Sequence, residues 1–278
     1  RGIPGLLQAL EAGEDPVGLP EVVAKDATGR VVLGAVDPSA NVYDQLPEPA
    51  RHLLPVERYH SFISQRRNFT VMVTGTGCAF SCHFCAIAPL PRYRNAIERV
   101  MVEIERCVVD LDVREIDFFD ADFFSDRAWS LAFCHALIAR GFDLEWSCRS
   151  RLQPLDDELL GLAKRAGCRQ IYVGIETPDV DALTKMRKPV RVDRVPEDLL
   201  RMRAHGIRSL GFFMLGVPGE THASALRTIR FALSLPVDYA QFSRMVPKPA
   251  SGLNSDVVEG RTVDYWREHV LGCTPSPR

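Results

Sequence analysis

The 278-residue chain lacks long apolar runs. The longest, over residues 210–217, is interrupted by glycines and reads as a buried strand rather than a membrane span. It also lacks an excess of either charge. Its 34 Lys and Arg against 36 Asp and Glu give a net charge of −2, too little for a broad field toward nucleic acid or anionic membrane. No secretory leader is visible, and the eight cysteines follow no disulfide framework. Reduced thiols in a cytoplasmic protein are expected, and the Asn68-Phe69-Thr70 sequon is then a chance match on a predicted strand. What remains is an ordinary globular composition, 46% hydrophobic and 25% charged.

Against that background one stretch is dense in chemistry, Cys78-Ala79-Phe80-Ser81-Cys82-His83-Phe84-Cys85. Three cysteines spaced C-x₃-C-x₂-C on one loop can turn their thiolates around a single inorganic centre. With no fourth cysteine in the loop, one site of a 4Fe–4S cluster is left open for a ligand. Zinc would require a fourth Cys or His, and His83, the only local candidate, lies between two of the cysteines, where joining them on one tetrahedron would strain the loop. Cys107, Cys134 and Cys168 read as core or helix–strand thiols, Cys148 as a buried inert thiol near the mouth, and Cys273 as part of a tail.

The chain organises itself around this loop. It begins at Arg1 with a short helix ending at Gly13, expected to be the end of an upstream domain. A hairpin is expected over 21–34, turning near Ala27-Thr28-Gly29, and Pro47, Pro49 and Pro55 mark a connector that lies on a neighbouring surface. From Asn68 strands alternate with helices. The strands are expected over 69–74, 115–119, 144–148, 170–174, 209–215 and 239–242. The helices are expected over 95–111, 126–140 (N-capped by Ser125), 156–166, 180–186, 196–205 and 221–235. Six βα units predict an α/β fold, a parallel sheet curled into a partial (β/α)6 TIM-like barrel whose carboxyl edge carries the site. The division expected is 1–65 for the end of an upstream domain and linker, 66–249 for the core, and 250–278 for the start of a C-terminal extension with a short helix at Tyr265-Trp266.

The cysteine spacing, with Phe84 before the last cysteine, resembles the signature of the radical S-adenosylmethionine (SAM) enzymes. The resemblance implies a radical SAM type of barrel and a 4Fe–4S cluster held by Cys78, Cys82 and Cys85. It implies that the open iron chelates SAM and that reductive cleavage yields a 5′-deoxyadenosyl radical. It further places Asp120 and Asp122, together, at the SAM amino group and Arg151 at its carboxylate, with Arg149 as a surface or structural alternative. Glu176 would hold the ribose, and the loop at Gly216, with Phe84, the adenine.

Four stretches resemble the cobalamin-binding branch of that superfamily. They are Leu46-Pro47-Glu48-Pro49-Ala50-Arg51-His52-Leu53-Leu54-Pro55, Asp120-Ala121-Asp122-Phe123, Gly174-Ile175-Glu176-Thr177 and Asp264-Tyr265-Trp266-Arg267. The likeness implies methylation of an unactivated carbon or phosphorus, a small-molecule or natural-product substrate, and a reducing donor such as flavodoxin or ferredoxin. The sequence has no Asp-x-His-x-x-Gly cobalamin motif, so cobalamin is expected to be held by a domain upstream of Arg1. The alternatives are an oxidative cyclase, a cobalamin-independent radical SAM lyase or oxidoreductase, and a non-enzymatic metal module. The last leaves the aspartates, arginine and glutamate at successive strand ends unexplained.

Overall fold

The computed structural model describes residues 2–35, 46–88, 90–217, 219–248 and 251–253. It divides the chain into two compact units, Arg1–Leu46 and Pro47–Arg278. In the first, α1 (Gly2–Ala12) is followed by an antiparallel pair, β1 (Val23–Lys25) and β2 (Val31–Leu33). The turn between them is held by the Asp26 carboxylate, which accepts from the backbone N–H of Thr28 at 2.9 Å and of Arg30 at 3.0 Å.

The second unit is built on a six-stranded parallel sheet. Its elements are β3 (Phe69–Met72), a small antiparallel pair β4 (Gly75–Thr76) and β5 (Tyr93–Arg94), α2 (Ile97–Asp110), β6 (Glu115–Phe118) and α3 (Arg127–Arg140). They continue with β7 (Glu145–Ser150), α4 (Asp157–Arg165), β8 (Cys168–Glu176), α5 (Val180–Lys185) and α6 (Val195–Ala204). The last are β9 (Arg208–Leu215), α7 (His222–Ser234) and β10 (Tyr239–Arg244). Strand order is β3-β6-β7-β8-β9-β10, so each βα unit adds the next strand to the same edge.

Period-two alternation sorts each strand's side chains. Ile116, Phe118, Trp146, Cys148, Ile171, Val173 and Phe213 enter the core that the helices cover. Phe118 sits at its centre, with ring centroids of Phe123, Phe133 and Trp146 at 5.0, 5.4 and 5.7 Å. The alternate residues of β6 to β8 include Glu115, Asp117, Ser147, Arg149, Gln170 and Tyr172, polar and all buried except the half-buried Arg149. The charged ones survive burial by pairing. At the amino ends, Glu115 accepts from Arg169 at 2.5 Å and from the backbone N–H of Gln65 and Arg66 at 2.9 and 3.0 Å. The proline-rich segment is tied to edge strand β3 through Arg51, which donates to Glu103 at 2.6 Å and to the Val71 carbonyl at 3.0 Å.

Two expectations change in detail. The N-cap of α3 is Asp126, whose carboxylate accepts from the Trp129 N–H at 3.0 Å. Ser125 is the last residue of a 3₁₀ turn over Phe123–Ser125, so the helix can begin only after it. β7, β8 and β10 run two residues beyond their expected ends, because the polar residues there remain hydrogen-bonded in the sheet. The expected helix at Tyr265-Trp266, the Asp264–Arg267 stretch and Cys273 lie outside the described residues.

Candidate active site at the carboxyl edge of the sheet

The cysteine loop leaves β3 and is pinched at its base. β4 pairs with β5 across it, and Asn95 donates its N–H to the Thr74 carbonyl at 2.8 Å. Gly77, at φ +70°, lets the two arms touch: a Cβ there would stand 2.6 Å from the Pro91 carbonyl oxygen. Within the loop, Cys85 N–H donates to the Cys82 carbonyl at 3.0 Å and His83 N–H to Met186 at 2.8 Å. Cys78, Cys82 and Cys85 are all half-buried. Burial raises the Cys82 thiol, and the positive charges of Lys188 and Arg151 oppose that rise. Among the described residues, no three His, Cys, Asp or Glu side chains converge at metal-binding distance. As a donor set the three thiols suit an iron–sulfur cluster: three soft ligands on one anchored loop, with two cations nearby to offset thiolate charge.

The two aspartates after β6 are not equivalent. Asp120 is consumed by the scaffold, accepting from Thr74 N–H at 3.1 Å, Thr74 Oγ1 at 2.8 Å and Arg94 Nη1 at 3.0 Å. Arg94 extends its other nitrogen to the Asp122 and Phe123 carbonyls and lies over the Trp129 ring at 4.4 Å. Asp122 accepts from Ser150 Oγ at 3.2 Å and lines two hollows, one of about 130 Å³ beside Cys78 and Arg94 and one of about 630 Å³ beside Phe80, Arg151 and Pro189. Burial raises both carboxyls; around Asp122, Ser150, Arg151 and Lys188 act in the opposite sense.

The two arginines at the end of β7, Arg149 within it and Arg151 just beyond it, divide in the same way. Arg149 forks onto Asp117 at 2.5 and 2.9 Å and lies between the rings of Phe119 at 3.5 Å and Tyr172 at 4.5 Å. It is structural. Arg151 packs on Phe80 of the cysteine loop at 3.5 Å, donates to the Pro189 carbonyl at 2.8 Å, and borders the larger hollow.

At the end of β8, Glu176 is buried at φ +68°, just after a register shift, and its carboxylate meets Lys188 Nζ at 3.0 Å. Gly174 admits this pair, since a Cβ there would stand 2.6 Å from both charged atoms. Gly216, at φ +80°, ends β9 and donates its N–H to Glu220 at 2.5 Å. Phe84 packs with Ala182, Leu183, Met186 and Val217, so the cysteine loop and the β9 loop share one apolar cluster. Cys107 is core, its thiol pushed up to about 11 by burial.

Sequence reading missed the segment after α5. Met186 holds the cysteine loop, Lys188 holds Glu176, and Pro189 holds Arg151 and Gln153. Its signal is the run Lys185-Met186-Arg187-Lys188, in which sequence does not distinguish the one inward cation. Arg94 was missed too, for want of a pattern linking it to Asp120.

With this geometry in hand, comparison with known proteins is informative. The profile of the radical SAM superfamily matches residues 72–232. An uncharacterised methyltransferase of Pyrococcus horikoshii is 28% identical over 89% of this chain and 54% of its own length. The anaerobic magnesium-protoporphyrin IX monomethyl ester cyclase of Rubrivivax gelatinosus is 26% identical over 81% of this chain and 41% of its own. The chain thus spans about half the length of the curated relatives it matches. Among solved structures, the radical SAM methyltransferase TsrM of Kitasatospora setae superposes with a TM-score of 0.72 at 18% identity, covering 93% of this chain and 52% of that one. The cobalamin-dependent SAM radical enzyme OxsB gives 0.72 at 14% identity, covering 98% and 44%. These two likenesses are of fold. No helix among the described residues is long and apolar enough to cross a membrane. The match over the sheet, its helices and the cysteine loop makes this chain a member of the radical SAM superfamily.

Proposed function

We propose that the carboxyl edge of the sheet binds a 4Fe–4S cluster through Cys78, Cys82 and Cys85, and SAM beside it. When bound, the cluster supplies the electron for reductive cleavage of SAM. The chain's own part is to hold and orient. Asp122 is the carboxylate open to a ligand and is assigned the SAM amino group, while Asp120 fixes the strand end behind it. Arg151 is assigned the SAM carboxylate, since Arg149 is spent on Asp117. Glu176, held by Lys188 at 3.0 Å, is assigned the ribose hydroxyls, and the loop at Gly216 with Phe84 the adenine. The observation that carries this assignment is that Asp122 and Arg151 border one hollow together with Phe80 of the cysteine loop, on which Arg151 packs at 3.5 Å.

For the reaction we favour cobalamin-dependent methylation of an unactivated carbon or phosphorus in a small-molecule or natural-product substrate. Relatives named as methyl-transfer enzymes support it. Beside the Pyrococcus protein stands a hopanoid C-2 methylase, 28% identical over 61% of this chain. Cobalamin is assigned to the whole protein and to none of the residues of this sequence, which has no Asp-x-His-x-x-Gly motif. A low-potential donor such as flavodoxin or ferredoxin would reduce the cluster. The second reading, an oxidative cyclase, is supported by the Rubrivivax relative. Labelled SAM given to the whole protein with its substrate separates them. Methylation predicts equal S-adenosylhomocysteine and 5′-deoxyadenosine and a labelled product, whereas an unlabelled product without S-adenosylhomocysteine rejects it.

A further inference from the structure

The strand that leaves the barrel returns to the cysteine loop. After β10 the chain turns at Lys248, whose carbonyl accepts from Ser251 N–H at 3.1 Å and Ser251 Oγ at 2.6 Å. Leu253 then donates its N–H to the His83 carbonyl at 2.8 Å. Ser251 and Leu253 are 3% and 5% exposed, so the turn is seated rather than resting on the surface. Between them, Gly252 lies directly against the His83 ring: a Cβ on it would stand 2.2 Å from Nδ1 and 2.4 Å from Cε1. No side chain fits there while the imidazole keeps its place.

His83 is the residue immediately after Cys82 and two before Cys85. Its N–H is held by Met186 and its carbonyl by Leu253, so both backbone groups are fixed by distant segments. The conformation of the Cys82–Cys85 turn therefore depends on the contact with residues 251–253.

We propose that residues 251–253 are a positioning strap for the cluster-binding loop, acting through His83 to set the relative placement of Cys82 and Cys85 and to shield the cluster from solvent. The inference rests on the reading that these cysteines hold the cluster. It adds a function for a segment outside the loop itself. The thiols are half-buried with residues 251–253 in place, and loss of the contact with His83 would loosen the turn that carries two of them. Solvent exposure and hydrogen bonding at the ligating turn tune an iron–sulfur cluster's potential and stability.

The test uses the intact chain after anaerobic reconstitution, with three readouts: iron content, the electron paramagnetic resonance spectrum of the reduced cluster, and loss of its visible absorbance in air. Wild type should carry about four irons, and Gly252→Val should keep them while altering the spectrum and bleaching roughly threefold faster or more. Leu253→Pro, which removes the N–H donor and sets a ring carbon against the His83 carbonyl instead of a side chain against the imidazole, should act in the same direction. His83→Ala should make room for the new side chain. The double variant should then bleach within about twofold of His83→Ala alone, a coupling that independent sites would not show. Where Gly252→Val yields no folded protein, Gly252→Ala carries the same comparison. Spectra and bleaching rates unchanged in both the Gly252 and Leu253 variants would overturn the proposal, as would acceleration that His83→Ala leaves unrelieved. A wild-type chain that takes no iron would instead refute the cluster reading beneath it.

Discussion

Arg149, on β7, and Arg151, the first residue beyond its end, stand two residues apart yet serve different ends. One level down the strand, Arg149 is enclosed: both arms of its fork are on Asp117, and an aromatic ring lies to each side. At the strand's end, Arg151 is braced by Phe80 and Pro189 but borders an open hollow with Asp122. The aspartates after β6 repeat the division: both border the smaller hollow, but Asp120 is committed to Thr74 and Arg94, and Asp122 alone of the two reaches the larger one. Depth along the strand separates the residues that hold the barrel from those that can meet a ligand. Residue type does not.

Several substitutions would break or sharpen that contrast. The largest effect is expected in the loop itself: Cys78, Cys82 and Cys85 changed together to Ala should reduce iron after reconstitution from about four per chain to near none. Next is the enclosed layer. Asp117→Ala leaves the half-buried Arg149 guanidinium without its carboxylate partner, a loss of about 3 kcal/mol. That corresponds to a melting temperature lower by roughly 6–12 °C. Asp120→Ala should follow at about 2–3 kcal/mol, since Thr74 and Arg94 both lose an ionised acceptor. Because Thr74 anchors the base of the cysteine loop, its iron content should fall as well.

The smallest effect is also the most diagnostic. Burial raises the Asp122 carboxyl, so ionising it costs more in the folded protein than in the unfolded chain. The protonated side chain costs nothing at low pH, and the penalty grows as pH rises through the folded value. Asp122→Asn should therefore melt slightly higher than wild type at neutral pH, with the gap closing as the pH approaches about 4. A residue kept despite a stability cost is expected where a ligand needs it.

Much of the barrel is legible in the sequence because the core is written in period-two and period-3.6 apolar residues. Ile116, Phe118, Trp146, Ile171 and Val173 mark their strands unmistakably. The strand ends are harder. At Arg149 and Glu176 the strands carry charge, and only the partners contributed by other strands and loops, Asp117 and Lys188, explain why the sheet continues. The cysteine loop is legible from spacing alone. The distinction between Asp120 and Asp122 is not, since it depends on Arg94 lying across the mouth. Lys188 is hidden among basic neighbours, and the contact of Gly252 with His83 joins residues too far apart for any periodicity to link.

The central claim, that the open layer at the strand ends binds SAM, is tested most directly by calorimetric titration of SAM into the reconstituted chain and its Arg151→Ala variant. The account predicts that the variant keeps about four irons but binds SAM roughly tenfold or more weakly, the loss of one charge-assisted contact. Equal affinity in the two proteins, at equal iron content, would contradict it.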